Sequence, residues 1–143
     1  MDFRFSEKEE ALRKEVRELL DRELTDEVIR VARTGIGGPA FRRFYLKLGA
    51  KGWLAPHWPR EYGGLGASFM ERVIITGELA SRWGAVGIVG VGMAGPTILL
   101  YGSEEQKKEY LPRIARGEIE FSLGYSEPVA GSALAALEMP AVE

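Results

Sequence analysis

The feature that most constrains this chain is a change of period at Gly117. Before it, apolar side chains recur every three or four positions. After it, Ile119, Phe121, Leu123 and Tyr125 alternate with Glu120, Ser122 and Gly124. A repeat near 3.6 gathers apolar residues on one stripe of a helix, whereas a repeat of two gathers them on one face of a strand. The spacing therefore predicts an all-α unit over residues 1–118 and the opening of a β unit over 119–143. A lone strand has no ladder of its own and is unstable without partners, so the second unit is expected to be incomplete.

Within the helical part, local signals mark where elements begin. Ser6 with Glu9, Ser68 with Glu71, and Ser103 with Gln106 each have the spacing of a capping box, in which the serine oxygen and the side chain three residues on satisfy free amides reciprocally. Leu12, Val16, Leu19 and Leu20 line one face of the first helix. Phe41, Phe44, Tyr45 and Leu48 line another that opens at Pro39 and closes near Gly52, proline suiting a first turn and glycine a terminus. Met70, Val73, Ile74 and Gly77 are expected to face inward from the helix after Ser68, and Tyr110, Leu111 and Ile114 from the helix after Ser103. Residues 26–39 are less regular and end in the loop TGIGGP. Residues 53–68 form a loop anchored by Trp53 and Trp58. Pro112 lacks the N–H that would bond one turn back, which predicts a kink or a new helix there.

Gly84 to Gly102 has no charged residue, yet its six glycines and Pro96 dilute it below the roughly 20 predominantly apolar residues of a membrane span. A buried helix over Ala85 to Leu100, with glycines permitting close approach, is the preferred reading. Other classes fall to composition. A net charge of −2 gives no pull toward nucleic acid or an anionic membrane. With no cysteine and only His57 as histidine, disulfides, thiolate catalysis and a histidine metal cluster are excluded, and no metal is expected. The N-terminus lacks an apolar signal segment, and a cytoplasmic protein is expected.

Few residues offer chemistry. Glu9, Glu71, Glu104 and Glu105 sit where helix starts favour acids. His57, between Pro56 and Trp58, reads as a loop-packing residue rather than a general base. Arg42–Arg43 and Gln106 to Lys108 read as solvated helix faces. YGGLG at 62–66 could cradle a phosphate through backbone amides or simply turn the chain into the Ser68 cap. Glu127 could serve as acid or base, although a carboxylate bonding backbone amides in a turn is preferred. The stretch SEPVAGS at 126–132 offers hydroxyls from Ser126 and Ser132 and unhindered backbone at Gly131. On chemistry alone it is a ligand loop or an ordinary turn.

Taken in order, MDFRFSEKEEALRKEVRELL, PHWPREYGGLGAS, MAGPTILLYGSEEQKKEYLPRIARGE and FSLGYSEPVAGS resemble the acyl-CoA dehydrogenase family. The resemblance implies a helical N-terminal domain followed by the first strand and loop of a middle β domain. It also implies α,β-desaturation of an acyl-CoA thioester, in which a glutamate takes the α-proton and the flavin of FAD takes the β-hydrogen as hydride. By the same resemblance Leu123, Tyr125 and Ser126 would meet the isoalloxazine. Gly131 and Ser132 would face the FAD phosphates, with Ser132 also near the CoA portion of the substrate, and Val91 to Thr97 would line the acyl pocket. The family usually has aspartate after Gly-Ser, where this chain has Ala133.

No residue here matches the family's catalytic glutamate, so no catalytic residue is assigned. The chain is accordingly expected to be truncated and inactive alone, with a half-site for FAD. A homo-oligomer or a second chain would complete the fold, and neither nucleic acid nor membrane is an expected partner. The alternative is a non-catalytic helical module that keeps the fold and uses its apolar faces, or the unpaired edge at 119–125, for self-association or a partner.

Overall fold

The computed structural model describes residues 4–34, 38–82 and 89–140. Among the described residues six α-helices carry the fold: α1 (Glu7–Glu23), α2 (Asp26–Thr34), α3 (Pro39–Ala50), α4 (Phe69–Arg82), α5 (Gly95–Tyr101) and α6 (Glu104–Ala115). A π-helical turn at Gly90–Ala94 runs directly into α5, and single 3-10 turns lie at Arg60–Tyr62 and Leu134–Ala136. Among the described residues there is no strand, only an isolated antiparallel bridge between Glu127 and Ala130.

The helix starts follow the local chemistry. Ser6 and Ser103 make reciprocal capping boxes with Glu9 and Gln106. At α4 the Ser68 amide donates to Glu71 at 2.8 Å and the Glu71 amide donates to the Ser68 hydroxyl at 3.2 Å. Pro39 opens α3 after Gly38, and the left-handed Gly117 follows α6. Val16, Leu19, Leu20, Phe41, Phe44, Tyr45, Leu48, Leu111 and Ile114 enter one core, with Trp53 and Trp58 packed into it from the 53–68 loop.

Four expectations are corrected. Residues 26–34 form a helix, α2; nine residues are too few for a helix to be stable alone, and it packs on α3 through Val28. The inward face of α4 is Ile74, Ile75, Glu78 and Leu79, while Met70, Val73 and Gly77 lie exposed. This helix is apolar on two sides, and its buried side includes an acid. That acid, Glu78, accepts from Arg13 Nε at 2.7 Å and Arg17 Nε at 2.9 Å, tying α4 to α1. Third, α6 runs unbroken through Pro112 to Ala115; only one turn follows the proline, so a single lost bond is tolerated.

Fourth, the described part of the uncharged stretch is helical but not buried throughout. It consists of the π turn and α5, with Leu100 and Met93 exposed. Gly95 lies under the Trp58 ring, where a Cβ would fall 2.0 Å from the indole edge. Residues 35–37 of TGIGGP and 84–88 of the uncharged stretch lie outside the described residues. No helix among those described is long and apolar enough to cross a membrane.

Candidate functional site

After Gly117 the chain leaves the helical core along its surface. Ile119 and Phe121 still pack against the core, but beyond them exposure rises. The alternation over 119–125 does not make a strand, because no second strand among the described residues offers the ladder that such a pattern needs. What the alternation does achieve is to turn Ile119 and Phe121 toward the protein.

The loop at 123–132 presents its expected residues outward. Leu123 and Tyr125 are exposed, Tyr125 by 60%, and Ser126, Gly131 and Ser132 are exposed with them. Glu127 and Ala130 exchange backbone hydrogen bonds at 2.8 and 3.1 Å across Pro128 and Val129. The side chain of Glu127 then accepts from the amides of Glu138 and Met139 at 3.0 and 2.9 Å. Glu127 thus holds a turn and folds the following residues back, as a carboxylate in a loop does most readily. Ala130 is buried, but a Cβ at Gly131 would meet nothing within 4 Å. One edge of the turn is therefore fixed by its own bonds, and the other leaves hydroxyls and unhindered backbone open to a ligand.

The other candidates are accounted for by packing. In YGGLG the amides of Gly63, Gly64, Leu65 and Gly66 donate to the carbonyls of Arg60, Pro59, Pro56 and Trp58. None of these is left for a phosphate, so the glycines serve a tight turn. His57 stays at the loop surface, where partial burial and the charge of Arg72 push its pKa down. Lys107 pairs with Glu104 at 3.0 Å. Arg42 is not on a solvated face: its guanidinium donates to the carbonyls of Gly117 and Glu118.

Two carboxylates that tie the helices together, Glu71 and Glu78, are held below the ordinary range, which suits anchoring rather than proton abstraction. Glu71 lies at about 2, held first by Lys8 and then by Ser68. Glu78 is lowered chiefly by Arg17, with burial opposing and Arg13 assisting. A groove of about 500 Å³ between the start of α1 and the loop before α4 includes Lys8, Arg60 and Glu71, and no residue of the 123–132 loop lines it. Among the described residues no group of three metal-ligating side chains converges.

The exposed loop thus has binding chemistry, while its own carboxylate, Glu127, is engaged with backbone amides. Sequence comparison supplies the context. Residues 6–118 match the family described as acyl-CoA dehydrogenase, N-terminal domain. Acyl-CoA dehydrogenase FadE26 of Mycobacterium tuberculosis is 40% identical over 99% of this chain and 36% of its own length. Among solved structures, the Tcur3481-Tcur3483 steroid ACAD superposes with a TM-score of 0.78 at 43% identity, over 96% of this chain and 36% of that one. An acyl-CoA dehydrogenase from Bacillus anthracis, complexed with FAD, gives 0.72 at 27% identity, over 91% of this chain and 23% of that one. The chain spans about a third of the length of such relatives. The helical core that positions the loop is therefore that family's N-terminal domain, and the chain belongs to the acyl-CoA dehydrogenase family.

Proposed function

We propose that this chain contributes the N-terminal helical domain and the near side of the flavin site to an FAD-dependent acyl-CoA dehydrogenase. The observation that carries this reading is the 123–132 loop, held from behind by Glu127 and Ala130 and open along Ser126, Gly131 and Ser132. In this reading residues 1–118 are the helical domain and residues 119–143 begin the middle β domain. Leu123, Tyr125 and Ser126 lie along the isoalloxazine, Gly131 and Ser132 face the cofactor's phosphates, and Ser132 also serves the CoA portion of the substrate. FAD supplies the hydride acceptor; the chain's part is to orient it and exclude water from one side.

The substrate is an acyl-CoA, and the likeness to a steroid ACAD favours a bulky ring-bearing acyl group. The glutamate base and the far side of the cofactor come from elsewhere in the assembly, either a further part of the polypeptide, a second copy or a different subunit. The two-component designation of that same relative supports the last of these. The site is proposed to work in the cytoplasm.

Two preparations test the reading. A polypeptide of these 143 residues alone is expected to be colourless and to oxidise no acyl-CoA with an artificial electron acceptor. Once the remainder of the site is supplied by the co-expressed partner or the longer chain, flavin absorption and turnover are expected together. Turnover by the 143 residues alone, or an assembled protein that never takes up FAD, would refute it. A colourless assembly that forms a stable oligomer would point instead to a helical association module.

A further inference from the structure

One face of α3 is occupied neither by solvent nor by another helix's side chains alone but by the backbone that leaves α6. Arg42, Tyr45 and Gly49 fall at i, i+3 and i+7, so they share a side of the helix. At Gly49 the helix approaches so closely that a Cβ would lie 2.2 Å from the Arg116 carbonyl oxygen. One turn back, the buried Tyr45 ring stacks on Phe41 and meets Gly117, where a Cβ would lie 2.7 Å from Tyr45 Cδ1. Gly117 has φ +71°, a region that a side chain would strain, so the chain can turn tightly over the ring only at glycine.

Two polar contacts complete this bed. The half-buried Arg42 guanidinium bridges two successive carbonyls, those of Gly117 and Glu118, the second at 2.7 Å. The Tyr45 hydroxyl lies near the Glu120 carboxylate, and burial, with that carboxylate second, pushes the tyrosine pKa up. Glu120 and Phe121 in turn pack near Gly90 of the π turn.

We propose that Arg42 is a positioning residue: with Tyr45 and Gly49 it fixes residues 116–120 to α3 and thereby sets where the 123–132 loop leaves the helical domain. That this loop serves FAD rests on the function proposed above, whereas the latch rests on the contacts just described. A planar guanidinium reaches both carbonyls at once, which a lysine ammonium cannot do with the same geometry.

The test is hydrogen exchange along the full chain in the wild type and in Arg42→Ala, Arg42→Lys and Tyr45→Phe. Arg42→Ala is expected to speed exchange of the hydrogen-bonded amides within residues 117–132, those of Gly117, Glu118, Glu127 and Ala130, by roughly tenfold, the size of effect that loss of charged hydrogen bonds to backbone supports. Amides of α1 and α4 should stay within about twofold, since the change is local. Arg42→Lys should fall between, and Tyr45→Phe, which keeps the ring, should give a smaller increase confined to the same residues. Unchanged exchange over 117–132, or an equal rise in every helix, would overturn the proposal. In the flavin-binding assembly, Arg42→Ala should also weaken FAD affinity about tenfold, with partial recovery in Arg42→Lys. An assembly that binds no FAD even as wild type would sink the functional reading and leave the latch to be judged by exchange.

Discussion

Phe44 and Tyr125 are aromatic residues of similar size with opposite situations. Phe44 is 2% exposed in α3, inside the core, and Tyr125 is 60% exposed in the loop. The same contrast separates the regions around them. Between Glu7 and Gly117, α1, α4 and α6 are capped by serines at their starts and the described helices are welded by a shared core. Between Glu118 and Pro140 the described chain is held at its start by Ile119, Phe121 and the α3 face, and beyond them chiefly by the Glu127–Ala130 bridge and the Glu127 carboxylate. The difference teaches that apolar content alone does not make a core. Leu123, Tyr125, Val129 and Met139 are as apolar as the core residues but remain exposed, because no element among those described packs over them.

The largest expected break in the comparison is at Phe44. Phe44→Ala should lower unfolding free energy by about 3–5 kcal/mol through lost burial and the cavity left behind, read from the denaturation midpoint. A loss below about 1 kcal/mol would mean that the helical region is less tightly packed than these contacts imply. Next comes the tie between α1 and α4. Glu78→Gln should cost about 1–3 kcal/mol, since two arginines lose a charged acceptor.

The same residue gives a pH signature. The folded-state pKa of Glu78 is lowered from 4.5, so its stabilisation is whole above about that pH. It is lost as pH falls further, through the folded value. The glutamine variant should therefore show a shallower acid loss of stability than the wild type, and identical acid profiles would remove Glu78 from that role. The smallest effect belongs to the loop. Tyr125→Ala should shift stability by no more than about 0.5 kcal/mol, whereas in the proposed flavin-bearing assembly it should alter cofactor retention. A large stability loss would show that the loop is part of the core after all.

How much was legible beforehand follows from which forces act locally. The three caps could be read because serine and its partner lie three residues apart and need nothing else. The all-α core and the anchoring of Trp53 and Trp58 followed from periodicity and from proline and glycine placement. α2 escaped notice because its short apolar pattern gains its stability from α3. The inward face of α4 was misassigned because Met70 and Val73 mimic a core stripe, while the buried side includes Glu78, an acid whose partners lie more than 60 residues away. Arg42 passed for a surface charge for the same reason: its carbonyl partners are 75 and 76 residues distant. In the loop Leu123 and Tyr125 only continue the alternation, and Ser126, Gly131 and Ser132 fit an ordinary turn as well as a ligand loop, so only the likeness to a family could single out the five together.

The Arg13–Glu78 contact spans 65 residues of sequence, and that separation sets a clock on synthesis. At about 5–20 residues per second, α1 emerges roughly 3–13 s before the part of α4 that meets it. During that interval Val16, Leu19 and Leu20, buried in the finished fold, have no α4 to dock against. The nascent chain must carry an uncovered apolar stripe flanked by charged residues for seconds, and this makes the first helix, rather than the late loop, the segment most in need of protection while the protein is being made.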